Sequence, residues 1–136
     1  MRVVFNNSDC YVYDKGFAVP FILANLVTGE SADLRGAIDT GFDGDLMVDS
    51  ETYERLNLRL SERPESEFPA YRTFSGTILF KSSLARVTMP GRNSMAEVIT
   101  PVSGLGKILV GRRALKNLTT LLHKAERYCV GDAKIE

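Results

Sequence analysis

Ala37-Ile38-Asp39-Thr40-Gly41-Phe42-Asp43-Gly44 couples the end of an apolar run to two glycines within four positions. That pattern demands a tightly turned, irregular backbone where a strand ends. Upstream, the apolar run from Phe17 to Val27 breaks at Thr28-Gly29-Glu30-Ser31 and resumes from Ala32 to Ile38. Two strands joined by hairpin-turn chemistry are predicted, with Pro20 pushing the first toward a sheet edge. The second strand therefore delivers Asp39 into the turn. Asp-Thr-Gly by itself says little, since chance supplies it in roughly a few per cent of chains of this length.

Downstream of Leu46-Met47-Val48, the segment Asp49-Ser50-Glu51-Thr52-Tyr53-Glu54-Arg55-Leu56 has a capping residue, early acids and Asn57 as a stop, which predicts a short helix. Arg59 to Ala70 is charged, holds Pro64 and Pro69 and shows no period. It reads as a surface connection and the stretch most prone to disorder. Tyr71 to Phe80 forms a hairpin in this reading, with Gly76 at its tip, and another joins Leu84–Thr88 to Met95–Thr100 through Met89-Pro90-Gly91-Arg92-Asn93. Beyond Gly104 and Gly106, the run Ile108-Leu109-Val110 ends at Gly111, and Leu115, Leu118 and Leu122 then repeat at helical spacing. A strand, a glycine and a helix are expected there. The polar tail from Lys124 to Glu136 is either a final short strand or frayed.

Many short strands against one or two short helices predict a mainly β fold, a single closed or nearly closed barrel. One domain spans 1–136, with a core of about 17–123 and terminal extensions at 1–16 and 124–136. Lysine plus arginine balance aspartate plus glutamate at 17 each. Nothing in that balance draws in nucleic acid or an anionic membrane, so neither is expected as a partner. The N-terminus loses its apolar character too early for a signal-peptide core and no window is apolar enough for a membrane span, which predicts a cytoplasmic protein. Cys10 and Cys129 stand at opposite ends without CxxC spacing. Reduced, partly buried thiols are the expectation.

The sequence order, an apolar strand into Asp39-Thr40-Gly41, a glycine-bearing hairpin at Tyr71–Ile78, and Leu109-Val110-Gly111-Arg112 before a helix, resembles the retropepsin-like aspartic peptidases. The resemblance covers Phe17 to about Leu122. Gly111-Arg112-Arg113-Ala114-Leu115 is similar to the helix opening of the retroviral members, and Asp39-Thr40-Gly41-Phe42-Asp43-Gly44 to predicted bacterial and archaeal peptidases of the same clan. The resemblance implies an aspartic endopeptidase without a cofactor, with Asp39 as its catalytic carboxylate. Such chemistry uses two carboxylates sharing one proton, and the chain holds one Asp-Thr-Gly. A homodimer acting on peptide or protein substrates is therefore implied, each chain supplying one Asp39.

The resemblance also gives neighbours their roles. Gly41 brings its amide to the carboxylate, Thr40 bonds across the two-fold axis, and Asp43 pairs with Arg112 to brace the loop. Phe42 departs from the pattern, where serine, threonine or alanine is more usual, and implies activity nearer neutral pH; its ring either narrows the substrate pocket or points into the core. Phe74, Ser75 and Gly76 belong either to a flap over the substrate, as the resemblance implies, or to a plain structural hairpin. The alternative is a catalytically inactive module of the same fold, used for dimerisation or peptide binding. His123 reads as a surface residue at the end of the second helix. Asp43, Asp45 and Asp49 alternate but lack the remaining ligands of a calcium loop, so no metal is expected.

Overall fold

The structure, a computed structural model, describes residues 1–12, 17–74, 76–89, 92–116, 118–124 and 126–136. Strand β1 (Val3–Val12) is followed by the hairpin β2 (Ala18–Asn25) and β3 (Ser31–Asp39). After β4 (Leu46–Met47) comes helix α1 (Ser50–Arg55), then β5 (Ala70–Thr73), β6 (Gly76–Met89) and β7 (Arg92–Pro101). Strand β8 (Leu109–Gly111), helix α2 (Arg112–Leu115), β9 (Thr119–His123) and β10 (Arg127–Ile135) complete the chain. The fold is mainly β with two short helices, as the sequence predicts.

Seven strands form one sheet in the order β2-β3-β8-β4-β7-β6-β5, and β6 pairs also with β2, so the pairings run in a ring. Strand β6 makes this possible by its length. Its first residues pair with β5, its body with β7, and Ala85–Thr88 with β2. Pro20 pairs with Arg35 of β3, while the β2–β6 ladder begins only at Ile22. The residue without an amide hydrogen thus stands where β2 has no second strand partner among the described residues.

Alternation along β2 puts Val19, Phe21 and Leu23 inside, where they meet Val87, Val98, Val110, Ala114 and residues of α1. The predicted first helix is present. Asp49 caps it by accepting the Thr52 amide at 3.0 Å, and Asn57 ends it in the left-handed region. The buried Asn25 reinforces that end, its amide group donating to the carbonyls of Leu56 and Asn57 at 2.8 and 2.9 Å. The following connection is not disordered. It makes two 3-10 turns, Leu58–Ser61 and Glu65–Glu67, and is pinned to β6 through the Arg63 amide on the Ser82 carbonyl and the Ser83 hydroxyl on the Leu58 carbonyl.

The termini form a second sheet, in the order β1-β10-β9. Two expectations are corrected here. Cys10 and Cys129 are direct partners across β1 and β10 and are joined by a disulfide, with Cα atoms 4.0 Å apart; residues 119 positions apart are brought together by pairing that no local spacing reveals. The second helix is one turn long, and Thr119–His123 is a strand on β10 instead of its continuation. Helical spacing of leucines lost to two β-branched threonines and a waiting strand edge. His123, exposed as expected, ends that strand. The small sheet docks through Tyr128 and Val130, both fully buried; the Tyr128 hydroxyl donates to the Ala18 carbonyl at 2.8 Å and accepts from Arg35 at 2.9 Å.

Candidate active site

Strand β8 runs between β3 and β4, parallel to the first and antiparallel to the second. The turn 40–45 therefore starts on one side of β8 and ends on the other, and Asp39 lies beside Gly111 in the ladder. Backbone bonds hold the turn over the strand end. The Gly111 amide donates to the Asp45 carbonyl at 2.8 Å, Arg112 to Phe42 at 2.8 Å and Arg113 to Gly44 at 3.2 Å. A side chain at 111 has no room: a Cβ there would collide with the Gly44 carbonyl and come within 2.7 Å of the Phe42 ring. The glycine that follows Leu109-Val110 is thus a close-approach glycine, and the two motif segments singled out in the sequence are in direct contact.

Asp39 is half-buried, and its Oδ1 accepts the Gly41 amide at 3.0 Å. The Phe42 amide donates to the Asp39 carbonyl at 3.2 Å, tightening the same turn. Thr40 is exposed. Asp43 and Arg112 form an ion pair with both side chains about two-thirds exposed. With Arg113 and Lys116 they line an open hollow of about 550 Å³, where cations outnumber acids.

Phe42 is buried at 7% exposure in a small apolar cluster with Phe80 and Ile99. Its ring lies against Gly44 and Gly111, where a Cβ at either position would approach within 2.7 Å. Tyr71 of β5 meets it edge-on, with centroids 5.7 Å apart, and meets Phe80 in the same way at 5.4 Å. Burial pushes the Tyr71 phenol above its ordinary range, the Glu97 carboxylate adds to the shift, and Arg113 opposes it. In the β5–β6 hairpin Thr73 stands opposite Gly76. Gly76 flanks the tip at φ 106, Phe74 is fully exposed, and Ser75 falls outside the described residues.

Two further residues matter to the loop. Asp45, buried at 6% exposure, accepts the Glu97 amide at 3.0 Å through Oδ2 and so ties the turn to β7 as well as β8. Tyr71 joins the hairpin to Phe42. Alternating aspartates drew attention to Asp45 only as a metal candidate, and among the described residues no cluster suited to a metal is formed. Neither contact has a local sequence signature, because each partner lies tens of residues away.

No protein-family model and no curated protein matches the sequence. Solved structures do. A retropepsin-like aspartic protease from Rickettsia conorii superposes with a TM-score of 0.62 at 14% identity, over 98% of this chain and 95% of that one. EIAV protease, in complex with the inhibitor HBY-793, gives 0.56 at 16% identity over 78% and 90%. A chain that sets Asp39 beside Gly111 across parallel strands and superposes on these structures has the fold of the retropepsin-like aspartic proteases.

Proposed function

We propose that this chain is an aspartic endopeptidase that works as a homodimer. The observation that carries the reading is Asp39 at the end of β3, beside Gly111 and with the Gly41 amide on its carboxylate, in a fold shared with aspartic proteases. The chain supplies one such carboxylate, and hydrolysis by this route needs two: one takes a proton from water as it attacks the peptide carbonyl, the other gives a proton to the carbonyl oxygen. A two-fold axis beside the loop provides the second Asp39. In this reading Thr40, exposed on the loop, bonds to its symmetry mate, the Asp43–Arg112 pair braces the loop, and the ring of strand pairings is the barrel that supports the peptide cleft. Phe74, Ser75 and Gly76 form the flap tip that closes over substrate and excludes water.

The test is peptide cleavage by wild type and Asp39→Asn across pH, on a random peptide pool. The variant should lose at least about 10³-fold in rate, as expected when both carboxylates of the acid–base pair are replaced, one in each chain of the variant dimer. Mixing adds the stoichiometry. At equal amounts, random pairing leaves about half of the wild-type chains in wild-type pairs, so activity per wild-type chain should fall to about half. Equal rates for wild type and Asp39→Asn would overturn the reading in favour of an inactive peptide-binding module.

A further inference from the structure

Phe42 joins the Asp39 loop to the rest of the molecule twice. Its backbone closes the loop, the amide on the Asp39 carbonyl and the carbonyl receiving the Arg112 amide. Its side chain lies edge-on to Tyr71, and Tyr71 is edge-on to Phe80. Since Tyr71 belongs to β5 and Phe80 to β6, the row of rings spans both strands of the hairpin that carries Phe74. The seat for the first ring exists because residues 44 and 111 are glycines.

We propose that the row Phe42–Tyr71–Phe80 links the position of the β5–β6 hairpin to the order of the Asp39 loop, with Tyr71 as a positioning residue. As a role in catalysis, this rests on the peptidase reading given above. Edge-to-face pairs hold only over a narrow range of ring separations, so a hairpin that lifts at Tyr71 loses contact with both neighbours. Phe42 is then left packed from one side while its backbone still carries the Asp39 turn. Hairpin closure and loop order become a single equilibrium, and by reciprocity a substrate that draws the hairpin down also stiffens the loop. The neutral Tyr71 phenol adds no charge to the link.

Amide hydrogen exchange on the full-length protein tests the link without relying on catalysis. Tyr71→Leu should speed exchange of the Phe42 and Arg112 amides about tenfold relative to the β2–β3 hairpin, while Tyr71→Phe stays within about twofold of wild type. No change at Phe42 and Arg112, or an equal rise in every strand, overturns the link. If Tyr71→Leu does not fold, Tyr71→Met carries the same comparison. Where wild type cleaves peptide, Tyr71→Leu should also lower kcat about tenfold with Tyr71→Phe restoring it; an unchanged kcat overturns the positioning role. A wild type that cleaves nothing defeats the peptidase reading and leaves the exchange result to stand or fall by itself.

Discussion

The two sheets of this molecule are held by different means. In the seven-stranded sheet, order comes from inside: Val19, Leu23, Leu46, Val87, Val98 and Val110 are wholly buried, and strands as short as β4 and β8 are fixed by what their side chains pack against. Among the described residues, the three-stranded sheet contributes Tyr128 and Val130 to that core, and leaves Leu121 and Leu122 nearly half exposed on β9. Its outer strand β1 is held by a nine-residue ladder to β10 and by the Cys10–Cys129 disulfide. Burial secures the sheet that carries the candidate site. A covalent bond and a long strand ladder secure the sheet made from the chain ends.

Removing each means in turn separates them. Replacing both cysteines by serine should cost the most, about 4 kcal/mol, since a cross-link between residues 119 positions apart removes a large share of the unfolded chain's freedom. Urea unfolding with and without reductant measures this; equal midpoints would mean that the ladder alone holds β1. Leu23→Ala, in β2 and far from the cysteines in sequence, should cost about 3 kcal/mol through the lost apolar contact and the cavity left behind. The same titration reads it, and the cost should persist under reductant if the two sheets are secured independently.

A smaller effect concerns α1, which packs on the large sheet through Tyr53. Its hydroxyl donates to Glu62 at 2.8 Å, and burial, reinforced by that carboxylate, pushes the phenol far above its usual range. A raised phenol contributes stability that is intact below the unfolded-state value of about 10 and is lost as pH rises beyond it. Tyr53→Phe should cost about 1 kcal/mol at neutral pH. It should also flatten the decline in stability between about pH 9 and 11, seen in unfolding midpoints. The smallest effect is expected at Asp43→Asn in the isolated chain, about 0.5 kcal/mol or less, because the pair with Arg112 is mostly exposed. A loss of activity larger than this loss of stability would give the pair a role in the proposed dimer.

Much of the backbone framework of the candidate site is legible in the sequence. A strand running into Asp39-Thr40-Gly41, a capped helix at Asp49 and an apolar strand into Gly111 are each written in neighbouring residues. The burial of Phe42 was not legible, because its seat is built by Gly44, Gly111 and Tyr71 together. Asp45 was visible only as one of several alternating acids, since its partner amide lies at Glu97.

What the sequence determined by itself is therefore the local grammar: where strands stop, where the chain turns and where α1 begins and ends. Those features follow from backbone sterics and hydrogen bonds within a few residues. Tertiary structure alone decided that Cys10 meets Cys129, that Thr119–His123 becomes a strand after a single helical turn, and that Asp39 lies beside Gly111. Each of these depends on which distant edge or surface is available when the chain closes on itself. Spacing along the sequence carries no record of that.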